Sequence, residues 1–170
     1  MAIIVIVVRV FLVQPFIVDG SSMEPNFHDK EYILVDKLTY RFRAPERGEV
    51  IVFHPPNFPT ENYIKRIIGL PGDTVDIANG KVSVNGVTIS EPYLNSLPGD
   101  TTSVINLPAE VKVPSDQYFV LGDNRNHSSD SREWGMLPKA DVIGRTWLVV
   151  LPIHNFGIVF DPAYAGVGNN

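Results

Sequence analysis

The chain has 170 residues, 44% of them hydrophobic and 19% charged, which suits one core or one domain with a small excursion and excludes wholesale disorder. Its formal net charge of −5 and lack of a Lys/Arg cluster exclude the basic footprint that nucleic acid requires. With no cysteine, disulfide frameworks, thiol nucleophiles and thiolate metal sites drop out as well.

Fifteen of the first eighteen residues are apolar, interrupted by Arg9, Gln14 and Pro15. A full span requires about 20 apolar residues; this run is shorter and carries an arginine. It lacks the basic start and small-x-small cleavage site of a secretory signal. Residues 1–17 read as a membrane-anchoring helix with Arg9 near its interfacial end. A buried β-strand is the competing reading, because AIIVIVV is strongly β-branched.

Beyond residue 30 the pattern turns to β. YILVDKL (32–38) and EVIVFHP (49–55) are short apolar runs, separated by the turn residues APERG (44–48). ENYIKRIIGL (61–70) alternates, placing Tyr63, Lys65 and Ile67 on one face and Ile64, Arg66 and Ile68 on the other. LPGD (70–73) then turns the chain. TVDIANGKVSVNGVTI (74–89) holds two Asn-Gly pairs flanked by β-formers, which predicts tight hairpins because Asn-Gly tolerates positive φ. Residues 90–117 read as a looped excursion. QYFVLGD (117–123) predicts a strand, NRNHSSDSREWG (124–135) a polar loop and DVIGRTWLVVLP (141–152) one or two strands. The Gly/Asn-rich end predicts a frayed tail. The expected fold is mostly β and antiparallel: an anchor over 1–17, a β-domain over 18–155 with an excursion around 76–117, and a tail over 156–170.

No G-x-S-x-G, S-x-x-K, H-E-x-x-H or Gly-rich phosphate loop is present, and His28, His54, His127 and His154 are scattered. Lys65 stands out, because alternation sets it in a strand with isoleucines on both sides. Such a lysine either snorkels its ammonium to water or is desolvated, which lowers its pKa and leaves a neutral amine near neutral pH. A neutral amine can deprotonate a serine in a Ser-Lys pair. VDGSSMEPNF (18–27) supplies serines where the chain leaves its apolar start, but Ser22 and Lys65 are 43 residues apart, so only tertiary structure can join them.

Taken together, GSSMEPNF (20–27), RGEVIVF (47–53), YIKRIIGLPGD (63–73) and GDNRNHSSDSREWG (122–135) resemble the conserved stretches of the type I signal peptidases, in the same order after an apolar start. The resemblance covers about residues 5 to 155. It implies Ser22 as nucleophile, Lys65 as general base and Ser128 as the serine that orients the lysine amine. Asp123, Arg125, Asp130 and Arg132 match structural charges of the last stretch. Arg66, on the opposite face from Lys65, is expected to pair with Asp123 or Asp130 and keep positive charge off the amine. Val18, Tyr63 and Ile64 are the implied lining of subsites for small side chains, with Met23 helping to wall the pocket and Pro25 setting the turn. The implied oxyanion donors are the Ser22 N–H and a donor at Gly20, which lacks a hydroxyl; a second backbone donor or Ser21 is the alternative. Asn26 and His127 depart from the family's usual threonine and asparagine.

The resemblance further implies a catalytic β-domain that cleaves signal peptides from exported preproteins after small residues, through an acyl-enzyme and with no metal or cofactor. The expected partners are preproteins and membrane lipid, with the enzyme a monomer. The expected location is the plasma membrane, single-pass, with the catalytic domain on the extracytoplasmic face. Trp134, Trp147 and Phe156 are expected either to pack in a core or to dip into the bilayer surface. Two rival readings are a repressor-type Ser-Lys autoprotease and a membrane-tethered β-module that only binds.

Overall fold

The structure, a computed structural model, describes residues 12–94, 107, 109–164 and 166–168. In chain order the strands are β1 (Val13–Ile17), β2 (Tyr32–Asp36), β3 (Val50–Phe53), β4 (Tyr63–Gly69), β5 (Thr74–Ala78) and β6 (Lys81–Val84). They continue as β7 (Val87–Thr88), β8 (Val111–Lys112), β9 (Gln117–Leu121), β10 (Leu137–Pro138), β11 (Val142–Leu151) and β12 (Gly157–Ile158), with one helical turn, α1 (Ser131–Trp134). The larger sheet has the order β1-β2-β11-β3-β4-β9-β10, with β12 on β11; the smaller runs β7-β6-β5-β8. All pairings are antiparallel.

β4 lies between β3 and β9, and its last six residues are all buried. Its alternating side chains feed different cores. Ile64 packs with Val18, Met23 and Phe27, whereas Ile67 packs with Phe53, Tyr118 and Leu137. Ile68 joins the core under the small sheet, with Val75, Val84 and Phe119. A strand buried on both faces is stabilised by burying apolar surface, at about 25 cal/mol per Å². Lys65 and Arg66 are the two charges held in that environment.

The segment expected as the end of an anchor helix is instead an edge strand. Val13–Ile17 pairs residue by residue with β2, from Val13 opposite Asp36 to Ile17 opposite Tyr32. Pro15 fits because an edge strand has one side without ladder bonds, so its missing N–H leaves no gap. Residues 1–11 of the expected anchor lie outside the described residues. Among the described residues no helix is long and apolar enough to cross a membrane.

Two other segments differ from their sequence reading, and a third takes one of its two expected forms. The polar loop 124–135 contains α1, because Asp130 caps it, its carboxylate accepting the Arg132 N–H at 3.2 Å. DVIGRTWLVVLP forms one ten-residue strand whose register shifts let it pair with β2, β3 and β12. The tail packs rather than frays: β12 pairs with β11, Tyr164 is buried, and Arg47 Nη2 donates to the Gly168 carbonyl at 3.0 Å. Both Asn-Gly pairs form the turns their chemistry favours, with φ of 51° and 71° at Asn79 and Gly80, and 52° and 78° at Asn85 and Gly86.

Candidate active site

Two segments meet at the site: the turn that follows β1, carrying Ser22, and the start of β4, carrying Lys65. Lys65 is only 3% exposed, and its Nζ donates to Ser22 Oγ at 2.8 Å and to the Ile64 carbonyl at 2.8 Å. Burial lowers its pKa to about 8. Asp130 and Asp123 oppose that shift through their charge, and Arg132 adds to it. An amine of that pKa is neutral in a substantial fraction near pH 8, and its lone pair is within reach of a serine hydroxyl.

The Ser22 turn is held by the chain that follows β9. Asn124 N–H donates to the Ser22 carbonyl at 3.0 Å, and Asn124 Nδ2 to the Ser21 carbonyl at 3.0 Å. Gly122 is what permits this approach: a Cβ there would lie 2.1 Å from Ser128 Oγ and 2.5 Å from the Ser22 carbonyl oxygen. Its constraint is space, not backbone conformation.

Arg66 forms a two-pronged ion pair with Asp123, Nε to Oδ1 at 2.8 Å and Nη2 to Oδ2 at 2.6 Å, and its third nitrogen donates to the Gly48 carbonyl. Arg66 therefore has its own partner on the far face of β4, and the cation that acts on Lys65 is Arg132. Asp130 binds Arg132 at 2.8 and 2.7 Å and accepts the Gly122 N–H at 3.0 Å. Arg125 donates to the Gly122 carbonyl at 3.1 Å and binds Glu91 with both terminal nitrogens.

Ser128 does not bond to the amine in this structure. Its hydroxyl is buried without a hydrogen-bond partner, and the two hydrogen bonds of Lys65 Nζ go to Ser22 and Ile64. Met23 does not wall the pocket either. It is 1% exposed, packs in the core under the turn, and its Sδ accepts the Asp123 N–H at 3.5 Å. A cavity of about 280 Å³ opens over the pair, lined by Phe16, Val18, Ser22, Tyr63, Ile64 and Lys65 among others. None of the histidines lines it.

The Gly20 N–H donates to the Asp29 carboxylate at 2.7 Å, so the second expected oxyanion donor is already engaged. Among the described residues the Ser22 N–H has no protein acceptor. No cluster of metal-ligating side chains occurs among the described residues.

Sequence reasoning gave no part to Gly122, Asn124, Asp29, Glu91 or Tyr93. For Gly122 a signal was present, a glycine between a β-run and a dense polar loop. For the others only tertiary contacts reveal the part played, since Glu91 lies 34 residues from Arg125.

Across residues 1–151 the chain matches the family described as signal peptidase, peptidase S26. It is 41% identical over 167 residues to a protein of Synechocystis named "Probable signal peptidase I-2", covering 95% of this chain and 73% of that one. A signal peptidase I of Bacillus amyloliquefaciens is 40% identical over 157 residues, covering 89% of this chain and 83% of the relative. The crystal structure of a signal peptidase I from Enterococcus faecalis superposes with a TM-score of 0.52 at 36% identity, covering 61% of this chain and 97% of that one. On matches of this length and identity, following on the site just described, the chain belongs to the signal peptidase family, peptidase S26.

Proposed function

We propose that this chain is a serine endopeptidase that removes signal peptides from preproteins, with Ser22 as nucleophile and Lys65 as general base. The observation that carries the reading is the 2.8 Å contact between Lys65 Nζ and Ser22 Oγ, formed by a lysine that is almost wholly buried. Neutral Lys65 takes the Ser22 proton as Oγ bonds to the substrate carbonyl carbon. The carbonyl oxygen becomes an oxyanion, and the Ser22 N–H is the donor best supported to receive it. One such donor contributes about 3–4 kcal/mol to the transition state. When the C–N bond breaks, Lys65 returns the proton to the leaving amine, and it then activates the water that hydrolyses the acyl-enzyme.

The cavity has room for a short extended stretch of substrate, with Val18, Tyr63 and Ile64 among its walls as the residues assigned to the subsites for small side chains. β9 pairs with β4 only from Arg66 onward, so Tyr63–Lys65 offers a free margin to an extended substrate. Ser128, whose buried hydroxyl has no hydrogen-bond partner, is assigned the part of accepting a hydrogen bond from the amine once Ser22 is acylated.

Work at a membrane surface is supported by a row of exposed apolar side chains. Ile17, Tyr32 and Leu151 stand opposite one another across β1, β2 and β11, and Ile153, Phe156 and Ile158 extend the set. Ile17 lies five residues before Ser22 in the chain, so the row adjoins the nucleophile turn. Trp147 and Phe156 belong to this exposed class, at 42% and 58%, whereas Trp134 packs on Phe53 with ring centroids 5.9 Å apart.

The test is cleavage of a preprotein ending its signal in Ala-x-Ala. Ser22→Ala and Lys65→Ala each abolish product while far-UV circular dichroism stays unchanged. Product formed at the wild-type rate by either variant overturns the dyad.

A further inference from the structure

Tyr93 sits between β7 and the residues outside the structure, in a helical turn (Pro92–Leu94) that no catalytic motif covers. Three parts of this one residue meet three parts of the site's support. Its ring lies under the Arg66 guanidinium, 4.1 Å from centroid to Cζ. Its carbonyl accepts Asn26 Nδ2 at 2.9 Å. Its hydroxyl donates to Glu91 at 2.7 Å and accepts the Tyr164 hydroxyl at 2.8 Å. Burial raises the Tyr93 phenol well above its ordinary pKa, with the Glu91 carboxylate adding to the shift, so this hydroxyl stays protonated.

The two groups Tyr93 holds, Arg66 and Asn26, converge on one carboxylate. Asn26 Nδ2 reaches Asp123 Oδ2 at 2.9 Å, the same oxygen that Arg66 Nη2 binds at 2.6 Å. The Asp123 N–H in turn meets Met23 Sδ, and the next residue, Asn124, holds the Ser22 carbonyl. We infer that Tyr93 is a positioning residue for the nucleophile: its ring and carbonyl fix Asp123 through Arg66 and Asn26, and Asp123 fixes the turn that aims Ser22. Tyr164, in the packed tail, backs the Tyr93 ring edge-on, with centroids 6.4 Å apart at 83°.

The inference rests on the Ser22–Lys65 reading, and the experiment separates the two. A purified full-length chain is assayed on a fluorogenic peptide with an Ala-x-Ala site, comparing Tyr93→Phe, Tyr93→Leu and Tyr93→Met. Loss of the cation–π contact displaces Asp123, and a displacement of even an ångström at the nucleophile costs up to about a hundredfold in turnover. Tyr93→Leu and Tyr93→Met are expected to fold and lose about tenfold or more in kcat, with KM within about twofold. Tyr93→Phe, which keeps the ring and the backbone carbonyl, retains most of the wild-type kcat. Wild-type kcat in either ring-less variant, an equal loss in Tyr93→Phe, or a loss confined to KM overturns the inference. Failure of both ring-less variants to fold also overturns it, making Tyr93 a stability residue. Ser22→Ala, run alongside, must be inactive; activity surviving there sinks the dyad itself, whereas full activity in Tyr93→Leu beside an inactive Ser22→Ala sinks only the part given to Tyr93.

Discussion

Lys65 was legible as a candidate because alternation placed a cation between isoleucines, yet sequence offered two fates for it. Burial decides, since the amine is out of water and bonded to a serine 43 residues away. Its lowered pKa has two measurable consequences. Below about pH 8 the amine gains its proton, so kcat/KM is expected to fall toward tenfold per pH unit. Arg132→Gln removes the cation that lowers this pKa and leaves Asp130 to raise it, so the acid limb moves to higher pH. A limb that stays put or moves down contradicts the electrostatic account. The second consequence is for stability. The unfolded lysine, near 10.5, binds more protons than the folded one at about 8, so stability is lowered below pH 8 and recovers as pH rises toward 10.5. A drop from 10.5 to about 8 corresponds to about 3 kcal/mol. Lys65→Met is therefore expected to be inactive yet more stable in urea at pH 7, by up to about 3 kcal/mol. Gly122→Ala tests the opposite kind of residue, one with no chemistry and no spare volume. Its methyl would overlap Ser128 and the Ser22 carbonyl, so activity drops by about a hundredfold or more as the turn moves.

At the scale of elements, the strands with clean alternation or a flanking turn signal were readable, and those decided by partners were not. The two Asn-Gly hairpins follow from local chemistry alone, and Gly86→Ala checks it. Its φ of 78° strains any side chain, while no atom lies within 4 Å of the new Cβ. It is expected to lower unfolding free energy by about 1–2 kcal/mol with kcat unchanged. A loss of kcat would instead tie the small sheet to catalysis. β1 shows the limit of reading locally: an apolar run with two polar interruptions suits a helix or a strand, and the unpaired edge of β2 settles residues 13–17 as strand. α1 was hidden because four residues are too few to show a helical period, and only the Asp130 cap marks them. The tail misled for a similar reason. Glycines and asparagines suggest fraying, but a buried arginine, Arg47, needs its carbonyl.

For the whole molecule, the four motif stretches were readable as a set and the Ser-Lys pair could be named from them, whereas the support around it could not. Arg66, Asp123, Glu91 and Tyr93 join through contacts of long sequence separation, and no local pattern encodes those. The exposed apolar row likewise emerges only when β1, β2 and β11 are laid side by side. Its part in membrane work is checked by Ile153→Asp combined with Phe156→Asp. This variant is expected to cleave a soluble peptide at the wild-type rate, and to lose most activity on a preprotein embedded in phospholipid vesicles. Equal activity on both substrates would free the row from any lipid duty. Tyr63 and Ile64 line the cavity and Lys65 is the very next residue, so under the proposed function recognition and proton transfer share a single backbone segment. A cargo whose side chain seats badly against that wall disturbs the base one peptide unit away. Poor cargo is then turned over slowly instead of merely being held loosely, and discrimination among preproteins is expressed in the rate at which they are cut.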